Sequence, residues 1–252
     1  MIHFVGAGCG AADLITVRGK ALLEEADVIV YAGSLVNPAL LEYRKEGCRV
    51  YDSARMTLEE VLSVMAAAEA AGQDVVRLHT GDPCLYGAIR EQMDQLDKLG
   101  IPYDYCPGVS AFSGAAAALK MEYTLPDISQ SVVITRMAGR TPVPERESVR
   151  SFAAHGATMV LFLSAGLLRE TQAELLAGGY GPDTPAAIVY KASWPDEKTC
   201  LCTVSTLADC ARENGISKTA LIVVGDAVKQ SGYARSKLYD PTFSTEFRPA
   251  KE

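Results

Sequence analysis

Through the first half of the chain, short runs of apolar, often β-branched residues alternate with longer stretches whose apolar positions recur every three to four residues. A short unbroken run predicts a strand, and the longer period predicts a helix with one buried face. Strands are expected at residues 2–5, 28–31, 49–51, 75–79 and 103–106. Helices are expected between them at residues 17–26, 38–44, 58–71, 89–99 and 111–119. The clearest is "TLEEVLSVMAAAEAAGQD", in which Thr57 and Glu60 have the spacing of a capping box and Gly72 suits the stop. Strands alternating with helices imply parallel strands joined by right-handed crossovers.

The alternation breaks at "EYTLPDISQS", where Pro126 and a polar run read as a linker over residues 122–131. A second set of strands is expected at residues 132–135, 159–163, 187–190, 199–204 and 221–224, with helices at 145–154, 167–177 and 207–213. The expected organisation is an N-terminal α/β domain over residues 1–121 and a C-terminal α/β domain over 132–228. A polar tail over 229–252, extended or partly disordered, follows.

The turn chemistry is concentrated in the first domain. Gly6-Ala7-Gly8 follows the first strand, Ala32-Gly33-Ser34 the second, Thr80-Gly81-Asp82-Pro83 the fourth and Pro107-Gly108-Val109-Ser110 the fifth. If the strands are parallel, these turns share the C-terminal edge of one sheet, where open α/β sheets bind their ligands. Asp82 reads either as a turn aspartate capping the next helix or as a carboxylate held for ligand hydroxyls or an amino group.

Composition narrows the classes of function. The chain has 252 residues, 48% of them apolar and 22% charged, which is enough for a substantial core. A formal net charge of −7 argues against non-specific nucleic-acid binding. No apolar stretch is long enough to span a bilayer, and "MIHFVGAG" lacks the basic start of a signal peptide, so a cytoplasmic location is expected. The seven cysteines include no C-x-x-C pair, and His3, His79 and His155 match no zinc spacing, so reduced thiols and no protein-held metal are expected. Cys84 and Cys106 are expected to be packing residues.

Gly6, Gly8 and Ala11 fit the G-x-G-x-x-G/A dinucleotide fingerprint. That fingerprint also needs an acid at the end of the second strand to hold a ribose. Here the strand ends in Tyr31-Ala32-Gly33, and Asp27 lies at its beginning. A P-loop string is absent as well.

Three strings together, "VGAGCGAADLITVRG", "VVRLHTGDPCLYG" and "PGVSAFSGAAAAL", resemble the N-terminal signatures of the tetrapyrrole (corrin/porphyrin) methylases. The resemblance extends over residues 1 to about 228. It implies two α/β domains, the first built on a mainly parallel sheet and the second on a mixed sheet, with the active site in the cleft between them. It also implies S-adenosyl-L-methionine as cofactor, S-adenosyl-L-homocysteine as product, and a homodimer. Within the family, "ADVIVYAGSLVNPALL", "YDSARMTLEE" and "ITRMAGRTPVPERE" resemble the branch that methylates carbon 11 of precorrin-4, with or without cobalt, in cobalamin biosynthesis. Uroporphyrinogen methylases usually carry an aspartate where this chain has Ala32, which argues against that reaction.

Carried over position by position, the resemblance implies cofactor contacts at Gly8 and Cys9, at Thr80, Gly81, Asp82 and Leu85, and at Ser110 and Ala111. Looser matches add Leu163, Ala192, Thr219 and Ala220. Cys9 stands where relatives often have proline, so its contact is through the backbone. Methyl transfer from a sulfonium is a direct displacement by an electron-rich ring carbon, so no enzyme nucleophile is required. A precorrin carries several carboxylates, and an acidic protein must gather positive charge to hold them. Arg136 and Arg140 follow the first strand of the second domain and are the substrate-binding candidates, since an arginine fork suits a carboxylate. Arg55 and Lys191 are further candidates. Tyr31, Asp52 and Glu122 are eligible as bases, and none is assigned as catalytic. The alternatives are methylation at another ring position or of a protein, a nicotinamide-dependent oxidoreductase, and a non-catalytic corrinoid-binding module.

Overall fold

The computed structural model describes residues 1–251 and divides the chain into two compact units. The first comprises Met1–Ala115 together with Lys191–Glu197. The second comprises Ala116–Tyr190 and the chain from Lys198 onward.

In the first unit, strands β1 (Ile2–Gly6), β2 (Val28–Tyr31), β3 (Arg49–Asp52), β4 (Val75–His79) and β5 (Tyr103–Cys106) form one sheet. The order is β3-β2-β4-β1-β5, and every pairing is parallel. Central strands of such a sheet are covered on both faces, which is why β1, β2 and β4 read as nearly continuous apolar runs. Helix α1 (Val17–Glu25) covers one face, where Leu23 packs with Val5, Ile29, Val76 and Leu78. Helices α2 (Leu58–Ala70) and α3 (Arg90–Leu99) cover the other, where Val61, Met65, Met93 and Leu96 pack with Phe4, Val30 and Val75. The capping box forms: Glu60 N donates to Thr57 Oγ1 at 3.3 Å and Thr57 N to Glu60 Oε2 at 2.7 Å. Helix α4 (Ala111–Leu119) follows β5.

In the second unit, β6 (Val132–Arg136), β7 (Thr158–Phe162), β8 (Pro185–Tyr190), β9 (Lys198–Thr203) and β10 (Ala220–Val224) pair in the order β6-β7-β10-β8-β9. Only β6 and β7 are parallel, so the sheet is mixed. Helices α5 (Val149–Ala153), α6 (Leu168–Gly178) and α7 (Leu207–Glu213) pack on it through Val149, Leu175 and Leu207.

Three stretches differ from the sequence-based expectation. Residues 38–44 form a 3-10 turn, Pro38–Tyr43, led by Asn37, whose side chain accepts from Ala39 N at 3.0 Å. Residues 145–154 split into a 3-10 turn, Glu145–Glu147, and α5, because Ser148 caps a new start by accepting from Ser151 N at 3.1 Å. The stretch after residue 228 is not simply extended. Gln230 Nε2 donates to Leu119 O at 2.9 Å, and a 3-10 turn at Lys237–Tyr239 is held by Arg248, which donates to Asp240 O at 2.7 Å.

Candidate functional site

All strands of the first sheet run the same way, so the turns after β1, β2, β4 and β5 do share its C-terminal edge. They are also bonded to one another. Gly8 N donates to Gly81 O at 3.2 Å and Gly81 N to Gly8 O at 2.8 Å, a two-residue bridge between the first and fourth turns. A Cβ on Gly108 would stand 2.3 Å from Gly81 O and 2.7 Å from Gly6 Cα. Glycine at these turns is therefore required by backbone packing against backbone.

Asp82 ties the fourth turn to the fifth. Its Oδ2 accepts from Gly108 N at 2.9 Å, and its Oδ1 accepts from Cys84 N at 2.9 Å and from the Tyr105 phenol. Burial pushes this carboxyl's pKa up, but the Tyr105 phenol and the Cys84 and Gly108 amides outweigh burial and leave it below the usual range. Asp82 thus caps the following turn, as the first of its two readings expects, and in addition it fixes the rim. The second turn has its own tie, from β3. Asp52 Oδ1 accepts from Gly33 N at 3.0 Å and from Ala54 N at 2.9 Å.

Around this rim the structure assembles Gly8, Cys9, Thr80, Gly81, Asp82, Leu85, Ser110, Ala111 and Ala192, all within the first unit. Ala192 arrives on the segment Lys191–Glu197, where Ser193 Oγ accepts from Ala11 N at 3.0 Å. Ser110 is 8% exposed. Cys9 is buried, with Sγ 3.5 Å from Ser193 Oγ. Cys106 is buried as expected, whereas Cys84 is exposed, because its turn carries it outward. All seven thiols are free.

The second unit gathers the remaining candidates at one end of its sheet. Arg136 ends β6 and pairs with Phe162 of β7; Leu163 follows β7; Thr219 precedes the antiparallel β10, which Ala220 opens. Leu163 (φ 51°) and Thr219 (φ 54°) are both left-handed, and Leu163 is 65% exposed. A left-handed β-branched or bulky residue is costly and collects at functional sites. Arg136 donates from Nη1 to Met137 O and Thr141 O, each at 3.1 Å, and from Nη2 to Pro142 O at 2.9 Å. Its fork therefore shapes the loop that carries Arg140. Arg140 is exposed and makes no hydrogen bond or ion pair among the described residues. Lys191 pairs with Asp196 at 2.7 Å, and Arg55 lies 3.8 Å from Asp52.

Sequence reasoning missed three features. Tyr105 holds Asp82, though "YDYC" showed only a strand. The segment 191–197 joins the first unit, a connection no local pattern encodes. A cavity of about 280 Å³ lies beside the rim, lined in part by Arg77 and His79 of β4, by Thr80 and Leu85, and by Met56 and Val61. The polar interruptions in "VVRLH" were the available signal.

No helix among the described residues is long and apolar enough to cross a membrane, and no group of three or more His, Cys, Asp or Glu there is placed to hold a metal. A family model described as Tetrapyrrole (Corrin/Porphyrin) Methylases matches residues 1–208. The chain is 52% identical over 247 residues to a cobalt-precorrin-4 C(11)-methyltransferase of Methanocaldococcus jannaschii, covering 98% of this chain and 95% of that one. It is 46% identical to a precorrin-4 C(11)-methyltransferase of a Sinorhizobium species, covering 98% of each. Among solved structures, a cobalt precorrin-4 methyltransferase superimposes with a TM-score of 0.88 at 47% identity, over 90% of this chain and 95% of that one. A uroporphyrin-III C-methyltransferase from Thermus thermophilus complexed with S-adenyl homocysteine gives 0.77 at 26% identity, over 91% and 99%.

Proposed function

The chain belongs to the tetrapyrrole (corrin/porphyrin) methylases, and from that premise we propose that it methylates carbon 11 of precorrin-4 or its cobalt complex in cobalamin biosynthesis. The end-to-end match to relatives of that name carries the reading. Two of the alternatives, the nicotinamide-dependent oxidoreductase and the non-catalytic binding module, lose ground on the structure. Asp52 is committed to the Gly33 turn, and Tyr31 is followed by Ala32, so the ribose-binding acid of a dinucleotide site is missing. The rim is intact, which disfavours a degenerate binding module. The Gly8 amide is already committed to Gly81 O, so it is not free to donate to a pyrophosphate.

S-adenosylmethionine, when bound, supplies an electrophilic methyl group on sulfur. The residues of the first unit suit it: the Ser110 hydroxyl, the backbone of the bridged turns and the apolar Leu85 are the mix of polar and apolar contacts a nucleoside sulfonium needs. We assign its contacts to Gly8, Cys9 through its backbone, Thr80, Gly81, Leu85, Ser110, Ala111, Leu163, Ala192, Thr219 and Ala220. Asp82 acts by holding two of those turns in place. Displacement at the methyl group needs alignment and exclusion of water, and no covalent enzyme nucleophile. Arg140 offers a free guanidinium to a substrate carboxylate, and Arg136 positions its loop. A homodimer is part of the same proposal, with light scattering as its check.

The test is incubation with labelled S-adenosylmethionine and, separately, precorrin-4 and cobalt-precorrin-4. A labelled methyl at carbon 11 of either product, located by carbon NMR, supports the reading. Methylation of a different intermediate while both stay unmodified would overturn it.

A further inference from the structure

Arg77 and His79 stand two residues apart on β4 and therefore face the same side of the sheet. Their neighbours on that face, Phe4, Val30 and Val75, are apolar and fully buried. Arg77 is 6% exposed and His79 4%. The guanidinium donates from Nε to Gln92 Oε1 at 2.9 Å and from Nη1 to Val30 O at 3.2 Å. Both acceptors are neutral, and no carboxylate pairs with Arg77 among the described residues. His79 Nε2 is buried and has no hydrogen-bond partner among the described residues. Burial, with the Arg77 charge second, lowers the imidazole pKa to about 3, so the ring is neutral at physiological pH.

A buried cation without a counter-ion is expensive, and an orphaned buried polar atom is rare. Here both fall on one cavity of about 280 Å³. Met56, Val61 and Leu85 contribute apolar wall, and Tyr86 and Ala88 line it in left-handed backbone, at φ 59° and 50°. Apolar walls with a few convergent polar groups are the usual form of a ligand pocket. The volume sits below the range of about 300–1,000 Å³ typical of whole-ligand sites, which suits an arm rather than an entire macrocycle. Glu91 also lines the cavity but is exposed, so water screens its charge.

Resting on the methylase reading above, we propose that this cavity is a subsite for one carboxylate arm of the tetrapyrrole, with Arg77 supplying the counter-charge and His79 Nε2–H a hydrogen bond. The ligand thereby cancels both costs at once: it neutralises the buried guanidinium and partners the orphaned nitrogen. This makes Arg77 and His79 specificity residues, remote in chemistry from the methyl group. They select an anionic arm against an amidated or esterified one.

The experiment is calorimetric titration of the full chain, and of Arg77→Lys, Arg77→Met and His79→Phe, with a free-acid corrinoid and with its methyl ester. S-adenosylhomocysteine is titrated in parallel. Wild type is expected to bind the acid over the ester. Arg77→Met should weaken binding of the acid by about 10- to 100-fold, the worth of a charge-assisted hydrogen bond, and Arg77→Lys should recover part of it. His79→Phe should weaken it by about fivefold or more. In turnover the loss should appear in KM with kcat nearly unchanged, and affinity for S-adenosylhomocysteine should not move. If Arg77→Met does not fold, His79→Phe decides. Unchanged KM and acid-over-ester preference in the folded variants, with methylation intact, overturns the subsite alone. Failure of wild type to bind or methylate any corrinoid overturns the methylase reading and the subsite with it.

Discussion

Tyr105 donates its phenol to the same Asp82 carboxylate that holds the Gly108 amide, so the fourth and fifth turns of the first unit are locked through a single acid. A carboxylate bonded this fully is a structural tie before it is a ligand contact. Tyr105→Phe removes one donor and leaves the two amides. We expect S-adenosylhomocysteine affinity to fall about three- to tenfold, with a small loss in Tm, as for one net hydrogen bond. Asp82→Ala removes all three and should cost affinity well beyond that, with far-ultraviolet circular dichroism unchanged. Equal affinity in wild type and both variants would show that the tie does not shape the cofactor site.

Backbone contact sets the second expectation. Gly108→Ala puts a methyl group 2.3 Å from Gly81 O, a main-chain atom that cannot swing aside. Overpacking of this kind costs about 1–3 kcal/mol. The loss should appear as a lowered urea midpoint together with weakened cofactor binding, because the Gly8–Gly81 bridge lies beside it. Gly47→Ala serves as the control, since a Cβ there meets nothing within 4 Å and the cost should be limited to its left-handed backbone.

How much of this was visible beforehand differs by level. β2, β4, β5, α4 and α7 were legible to the residue, because each is a short run whose period and flanking turns agree. The 3-10 turn at Pro38–Tyr43 was not, since its pattern matches a short helix and only the hydrogen-bond spacing separates them. The rim was legible because glycine and proline clusters follow parallel strands. What those glycines do was not: nothing local says that Gly108 meets Gly81 and Gly6 rather than a ligand. Arg136 and Arg140 looked equivalent in "TRMAGRT". Only the loop's fold commits one guanidinium to Met137, Thr141 and Pro142 and leaves the other free.

That asymmetry separates two variants. Arg140→Ala should raise KM for the precorrin by about tenfold, one charge-assisted contact, with Tm and S-adenosylhomocysteine affinity unchanged. Arg136→Ala should raise KM as well, but with faster amide exchange across residues 137–142, whose carbonyls lose their donor. Identical exchange in the two variants would remove the positional role of Arg136.

The last expectation concerns pH. His79 has a folded-state pKa near 3, against about 6.5 for an unperturbed imidazole, mainly because burial disfavours its charged form. The unfolded chain therefore takes up a proton at this site below about pH 6.5, and the folded chain does not until near pH 3. More protons on the unfolded state means that stability falls as pH falls through that window and is flat above it. Between pH 7 and pH 5 the imidazole alone should remove about 2 kcal/mol. His79→Phe has no proton to gain, so its urea midpoint should decline less over the same interval. Carboxylates with lowered pKa, such as Asp82, lose their contribution only as pH falls into the acid range, and they act on both proteins alike. The difference between the two curves therefore isolates His79. Parallel curves from pH 7 to pH 5 would mean that the imidazole is already protonated, or solvated, inside the folded protein.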